Sequence, residues 1–125
     1  MRIIQLSVTT DGSGDGTATD ATTRKGYVLA WIVDYAATAD AGTDVDLDVV
    51  SAVGPNIHID NVDDTNTDWT APRYPLGYPN APGEDAITDP LMPIPFCGQL
   101  KLTVAGGGNA VTDCAVATIY IADVP

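Results

Sequence analysis

The stretch TDVDLDVVSAV, residues 43–53, restricts the fold more than any other part of the chain. Val45, Leu47 and Val49 alternate with Asp44, Asp46 and Asp48. In an extended strand this makes one face apolar and the other acidic. Such a strand is stable only in a sheet that covers its apolar face, so the fold must be built around a sheet. Gly54-Pro55 ends the run.

Several other stretches share this period. In RIIQLSVTT, residues 2–10, Ile4, Leu6 and Val8 alternate with Gln5, Ser7 and Thr9. Residues 17–24, TATDATTR, read as a polar edge strand. GYVLAWIVDY, residues 26–35, is almost continuously apolar. It reads as a central strand covered on both faces, with Tyr27, Leu29, Trp31 and Val33 on one side and Val28, Ala30 and Ile32 on the other. CGQLKLTV and AVTDCAVATIYIA, joined by AGGGNA, read as a closing hairpin with Leu100, Leu102 and Val104 inward. NIHID is a short strand, and AATADAG and NVDDTNTDW are loops. No segment reads as a helix. Val, Thr and Ile are abundant, and Glu84 is the only glutamate. The expectation is an all-β fold, a single antiparallel β-sandwich or jelly-roll-like domain over residues 1–125. A chain of 125 residues is long enough for one real core.

Residues 71–95 hold seven of the nine prolines, which bars a regular helix or an interior strand. An extended Pro-rich arm or loop is expected there. Proline lowers the ordering cost of binding and aromatic side chains supply contact area. Trp69, Tyr74, Tyr78, Leu91, Met92, Ile94 and Phe96, in and beside the arm, are therefore the candidate partner-interface residues. Cover for an open side of the sandwich is the other use of these side chains.

The net charge of −12, with five cations, disfavours nucleic acid and anionic membranes as partners, since both select basic surfaces. It suits solubility or a basic protein partner. The opening residues are too short and polar for a signal peptide, and no apolar run is long enough to span a bilayer. A reducing compartment is expected, with Cys97 and Cys114 as free thiols and a disulfide between neighbouring strands as the alternative.

DGSGDG, residues 11–16, begins like a calcium loop: Asp11, Ser13 and Asp15 alternate with glycines, and Gly16 stands at the sixth position. The twelfth position, where a bidentate carboxylate belongs, is Thr22. The reading is a tight turn with no metal; Asp11, Ser13 and Asp15 are the weak calcium candidates. Asp44, Asp46 and Asp48 stand roughly 7 Å apart on one strand face, too far for one ion. Asp60, Asp63, Asp64 and Asp68 share a loop that could wrap a cation. His58 is the sole histidine and lacks a local nucleophile motif. Glu84 and Asp85 would need a carboxyl partner across a cleft to act as a glycosidase pair. No phosphate-binding loop, nucleophile elbow or zinc motif is present. Catalysis and cofactors are not expected.

The segments IIQLSVTTDGSGDGTAT and GQLKLTVAGGGNAVTDCAVATIYI together resemble small virion structural proteins of tailed bacteriophages, those encoded among the head genes. The likeness covers the two ends of the chain. It implies a capsid decoration or cement protein that binds the major capsid protein or other virion proteins. It further implies a virion location after assembly in the host cytoplasm, and a homo-oligomer, with a trimer favoured. The alternative is a receptor- or carbohydrate-binding module of a fibre, spike or tail, with Trp69, Tyr74 and Tyr78 as the stacking platform.

Overall fold

A computed structural model describes residues 1–77 and 92–124 of the chain. Its elements are all strands: β1 (Arg2–Val8), β2 (Gly16–Thr19), β3 (Arg24–Tyr35), β4 (Asp44–Ser51), β5 (Ile57–Val62), β6 (Leu76–Gly77), β7 (Met92–Ala105) and β8 (Ala115–Asp123). They pair antiparallel in the order β1-β8-β3-β7-β4-β5, and β2 and β6 also pair with β7. The fold is all-β, as expected. The strands alternate buried and exposed positions, so the sheet has one apolar face. Among the described residues no helix covers that face. β2, paired with β7, packs beside β1, so the sheet curls round on itself over that face, an arrangement compatible with a sandwich.

The core draws on every long strand: Leu6 and Val8 of β1, Trp31 and Val33 of β3, Val45, Leu47 and Val49 of β4, Leu100, Leu102 and Val104 of β7, and Ile119 and Ile121 of β8. Burying each such side chain stabilises the fold by about 1.5–3 kcal/mol. The buried hydroxyl of Thr10 is satisfied by residues distant in the chain. Thr10 Oγ1 donates to the Asn109 carbonyl at 2.9 Å and accepts from the Val111 amide at 2.9 Å.

β7 organises the sheet. Its residues 98–105 pair with β4 on one edge. On the other edge, residues 94–98 pair with β3 and residues 101–104 with β2, so β2 and β3 run in succession along one side. Gly98 sits where β3 and β4 both reach β7, and a Cβ there would lie 2.1 Å from the Val50 carbonyl oxygen. β7 includes Pro93 and Pro95, so the end of the Pro-rich segment is a strand and not part of an arm or loop. The prolines are accommodated because β4 joins only at Gly98, which leaves each of them a single strand neighbour.

Two further expectations are corrected. β7 and β8 are not a hairpin: they flank β3, and residues 106–114 carry the chain from one side of it to the other. A nine-residue connection with left-handed backbone at Gly106, Gly108 and Asp113 is a crossing loop, not a tight turn. β3 is central, yet only one of its faces is buried. Its register against β8 shifts between Val28 and Ala30, so Leu29 is a bulge. Gly26 and Val28 point inward before it, and Trp31, Val33 and Tyr35 after it. The apolar run is continuous because the inward phase changes within it.

Beyond the bulge β3 parts from β7, and residues 68–73 fill the vacated edge. Trp31 and Arg73 exchange backbone hydrogen bonds of 3.0 and 2.8 Å, and the Trp69 amide donates to the Val33 carbonyl at 3.1 Å. The Tyr35 amide donates to Asp68 Oδ1 at 2.6 Å.

Candidate binding surface

The most highly connected side-chain group lies on this filled edge. Asp60 projects from β5, whose register against β4 shifts between Leu47 and Asp48. Asp60 Oδ2 accepts from the Trp31 indole Nε1 at 2.9 Å and from Arg73 Nε at 2.8 Å. Its Oδ1 accepts from Arg73 Nη2 at 3.1 Å and from the Asn61 amide at 2.9 Å. Burial alone would raise the Asp60 pKa. The hydrogen bonds from Arg73 and Trp31 overcome it and hold the carboxyl below its ordinary range. The same pairing raises Arg73. The Trp69 ring meets Trp31 edge-on, with centroids 4.8 Å apart and planes at 78°, and the Arg73 guanidinium carbon lies 6.0 Å from the Trp69 centroid. Trp69 is thus oriented by a buried tryptophan on one side and a cation on another.

Beside this group is a shallow depression of about 370 Å³ lined by Val62, Asp63, Thr65, Trp69, Ala71 and Arg73. Half of the Arg73 side chain is solvent-exposed, and its guanidinium carries N–H groups beyond those that Asp60 engages.

The interface candidates divide. Tyr74 is 66% exposed and available to a partner. Trp69 is half-buried against the core but lines the depression. Phe96, only 5% exposed, belongs to the core, and Ile94 is partly buried against it. Both fall on strand positions of β7 that continue the inward phase of Leu100, which the expectation of an extended arm concealed. Met92 is placed by its backbone pairing with Gly77. Tyr78 and Leu91 lie outside the described residues, as does most of the arm.

A second exposed apolar surface lies on the outer face of β1, β8, β3 and β7. Ile3 pairs with Tyr120, Ala122 with Tyr27, and Tyr27 with Pro95, so these side chains share one face. Ile3 is 58% exposed, Tyr27 39% and Met1 84%. Ile3 was legible as an apolar residue out of phase with Ile4, Leu6 and Val8. Tyr27 was hidden by the expectation that both faces of its strand are covered.

Glu84 and Asp85 lie outside the described residues. In DGSGDG, Asp11 Oδ1 accepts from the Ser13 amide at 2.9 Å and the Asp15 amide at 3.1 Å, and the Asp11 carbonyl accepts from Gly14. Asp11 thereby closes its own turn. The carboxylates of the 60–68 stretch are divided among separate duties: Asp60 with Arg73, Asp63 with Asn61, and Asp68 with the Tyr35 amide. Among the described residues no group of three or more acidic, histidine or cysteine side chains forms a metal cage. His58 stands on β5 with Nδ1 2.7 Å from Asp48 Oδ1 and Nε2 3.2 Å from Asn61 Oδ1. Both contacts are oxygen acceptors, which suits the doubly protonated ring. The Asp48 hydrogen bond raises the His58 pKa. Cys97 is exposed and Cys114 buried, and both are free thiols; burial raises the pKa of Cys114.

No protein-family model, no curated protein and no solved structure matches the chain, so the surfaces above stand on their own chemistry.

Proposed function

We propose that this domain is a structural protein of a bacteriophage virion, a decoration or cement protein that binds the major capsid protein lattice. The phage assignment rests on the likeness of its two ends to small head-gene products. The structural observation that supports a docking role is the apolar outer face of Ile3, Tyr27, Pro95 and Tyr120, continuous with β1. β1 is an edge strand whose only strand partner among the described residues is β8. A strand edge beside an exposed apolar face is a surface onto which a neighbour's strand or groove can add. The acidic remainder of the surface keeps the unassembled protein soluble. Many weak copies on a symmetric lattice gain strength through avidity, and a trimer at three-fold positions is the geometry we favour.

Cryo-EM of the assembled particle tests this reading. Many symmetric copies on the shell, with Ile3 and Tyr27 against the capsid or a sister subunit, are expected. Absence from the particle, or a position only at a tail or fibre tip, overturns it.

A further inference from the structure

We propose that the depression beside Trp69 binds a neutral polyhydroxylated ring, a single sugar residue. Its volume of about 370 Å³ is at the small end of ligand sites, which run from about 300 to 1,000 Å³. That suits one ring and not an extended buried chain. Three features select the ligand class. Trp69 supplies an apolar aromatic wall whose orientation is set by edge contact with the fully buried Trp31. Such a wall complements the C–H face of a saturated ring. Arg73 supplies donors and Asp63 supplies acceptors on the same rim, and Thr65, whose hydroxyl oxygen accepts from the Thr67 amide at 3.2 Å, keeps its own proton to donate. A hydroxyl group both donates and accepts, so a polyol can use both kinds of partner. Charge then excludes the competitors. A cationic ligand would have to compete for the Trp69 ring with the Arg73 guanidinium, which already lies 6.0 Å from its centroid. An anionic ligand would meet Asp63 within a chain of net charge −12. A neutral ligand avoids both penalties.

A domain that binds sugar here does so whether or not it decorates a capsid, so the particle location and the sugar titration succeed or fail separately. The experiment is a titration of the full chain, followed by ¹H–¹⁵N NMR, with methyl α-glucopyranoside, methyl β-galactopyranoside and N-acetylglucosamine. Choline chloride and sodium acetate serve as the cationic and anionic probes. The two indole N–H signals provide an internal control, because Trp69 lines the depression and Trp31 is fully buried. Saturable shifts of the Trp69 indole and of amides in 62–65 and 69–73 are expected for at least one sugar, with a dissociation constant in the millimolar range. Asp63→Asn, an exposed substitution, should leave the remaining spectrum intact and weaken that binding about tenfold by loss of a charged acceptor. No saturable shift with any of the three sugars overturns the proposal. So does equal affinity in Asp63→Asn, or binding at these signals by choline or acetate alone.

Discussion

Asp60 accepts hydrogen bonds from the Trp31 indole, the Arg73 guanidinium and the Asn61 amide together. Removing it strands the indole N–H of a fully buried tryptophan. Asp60→Ala should therefore cost roughly 2–4 kcal/mol. Arg73→Gln breaks the pair from its half-exposed side and should cost about 1 kcal/mol or less. Urea unfolding midpoints at constant m measure both, and equal losses would contradict this account. The Asp60 pKa lies below its ordinary 3.8, so its contribution is present at neutral pH and is lost only as pH falls below that value. His58 works in the opposite sense. Asp48 raises its pKa above the ordinary 6.5, so its stabilisation is full below that value and fades as pH rises through the raised pKa. Asp46 and Asp48 of β4 face it, Asn61 contacts it from β5, and Lys101 of β7 lines a separate surface hollow with His58 and Asp48. More than half of the His58 side chain is exposed, so the effect should stay below about 1 kcal/mol. His58→Gln should flatten the stability profile between about pH 5 and 8. An unchanged profile would show that the Asp48–His58 contact contributes nothing.

The turns and bulges divide into those legible in the chain and those set by a neighbour. DGSGDG announced a turn, and Asp11 closes it through its own carboxylate. What the letters did not announce is that Gly14 packs on the 106–108 loop. Gly14 has φ +79°, and a Cβ there would lie 2.2 Å from the Gly108 nitrogen; Gly108 has φ +72° but open space around it. Both Gly→Ala changes carry the left-handed backbone penalty of about 1 kcal/mol. Gly14→Ala adds a backbone clash, and its loss should exceed that of Gly108→Ala by about 1–3 kcal/mol in thermal or urea unfolding. Equal losses would mean that the two loops do not touch. The bulge at Leu29 had no local signal. In a run where every residue is apolar, the inward phase cannot be read, and only the pairing of β3 with β8 reveals the switch. Deleting Leu29 removes only the extra residue and leaves Ala30 opposite Tyr120 and Trp31 opposite Ile119, so the inward phase of Trp31 and Val33 and cooperative unfolding by circular dichroism should survive; loss of cooperativity would show that the bulge itself is required.

Across the whole molecule the dominant electrostatic fact is the net charge of −12. Self-repulsion should make the fold less stable at low ionic strength. Raising salt to about 0.15 M, where the screening length is about 8 Å, should raise the thermal midpoint by a few degrees, even as it weakens the Arg73–Asp60 pair. A midpoint that falls with salt would show that pairs such as this one outweigh the repulsion.

The chain by itself determined that the fold is β, where β1 and β4 run, and which of their side chains enter the core. Strict alternation leaves one apolar face per strand, and that is a local property. It also determined the turn at residues 11–16, through the chemistry of Asp and Gly. Tertiary structure alone decided which strands are neighbours. β7 and β8 follow one another in sequence yet flank β3, because pairing maximises shared apolar burial across the curled sheet and not proximity along the chain. It also decided the surface. Trp69, Asp63 and Arg73 come together only because residues 68–73 occupy the β3 edge that β7 leaves, a vacancy created by divergence of distant strands.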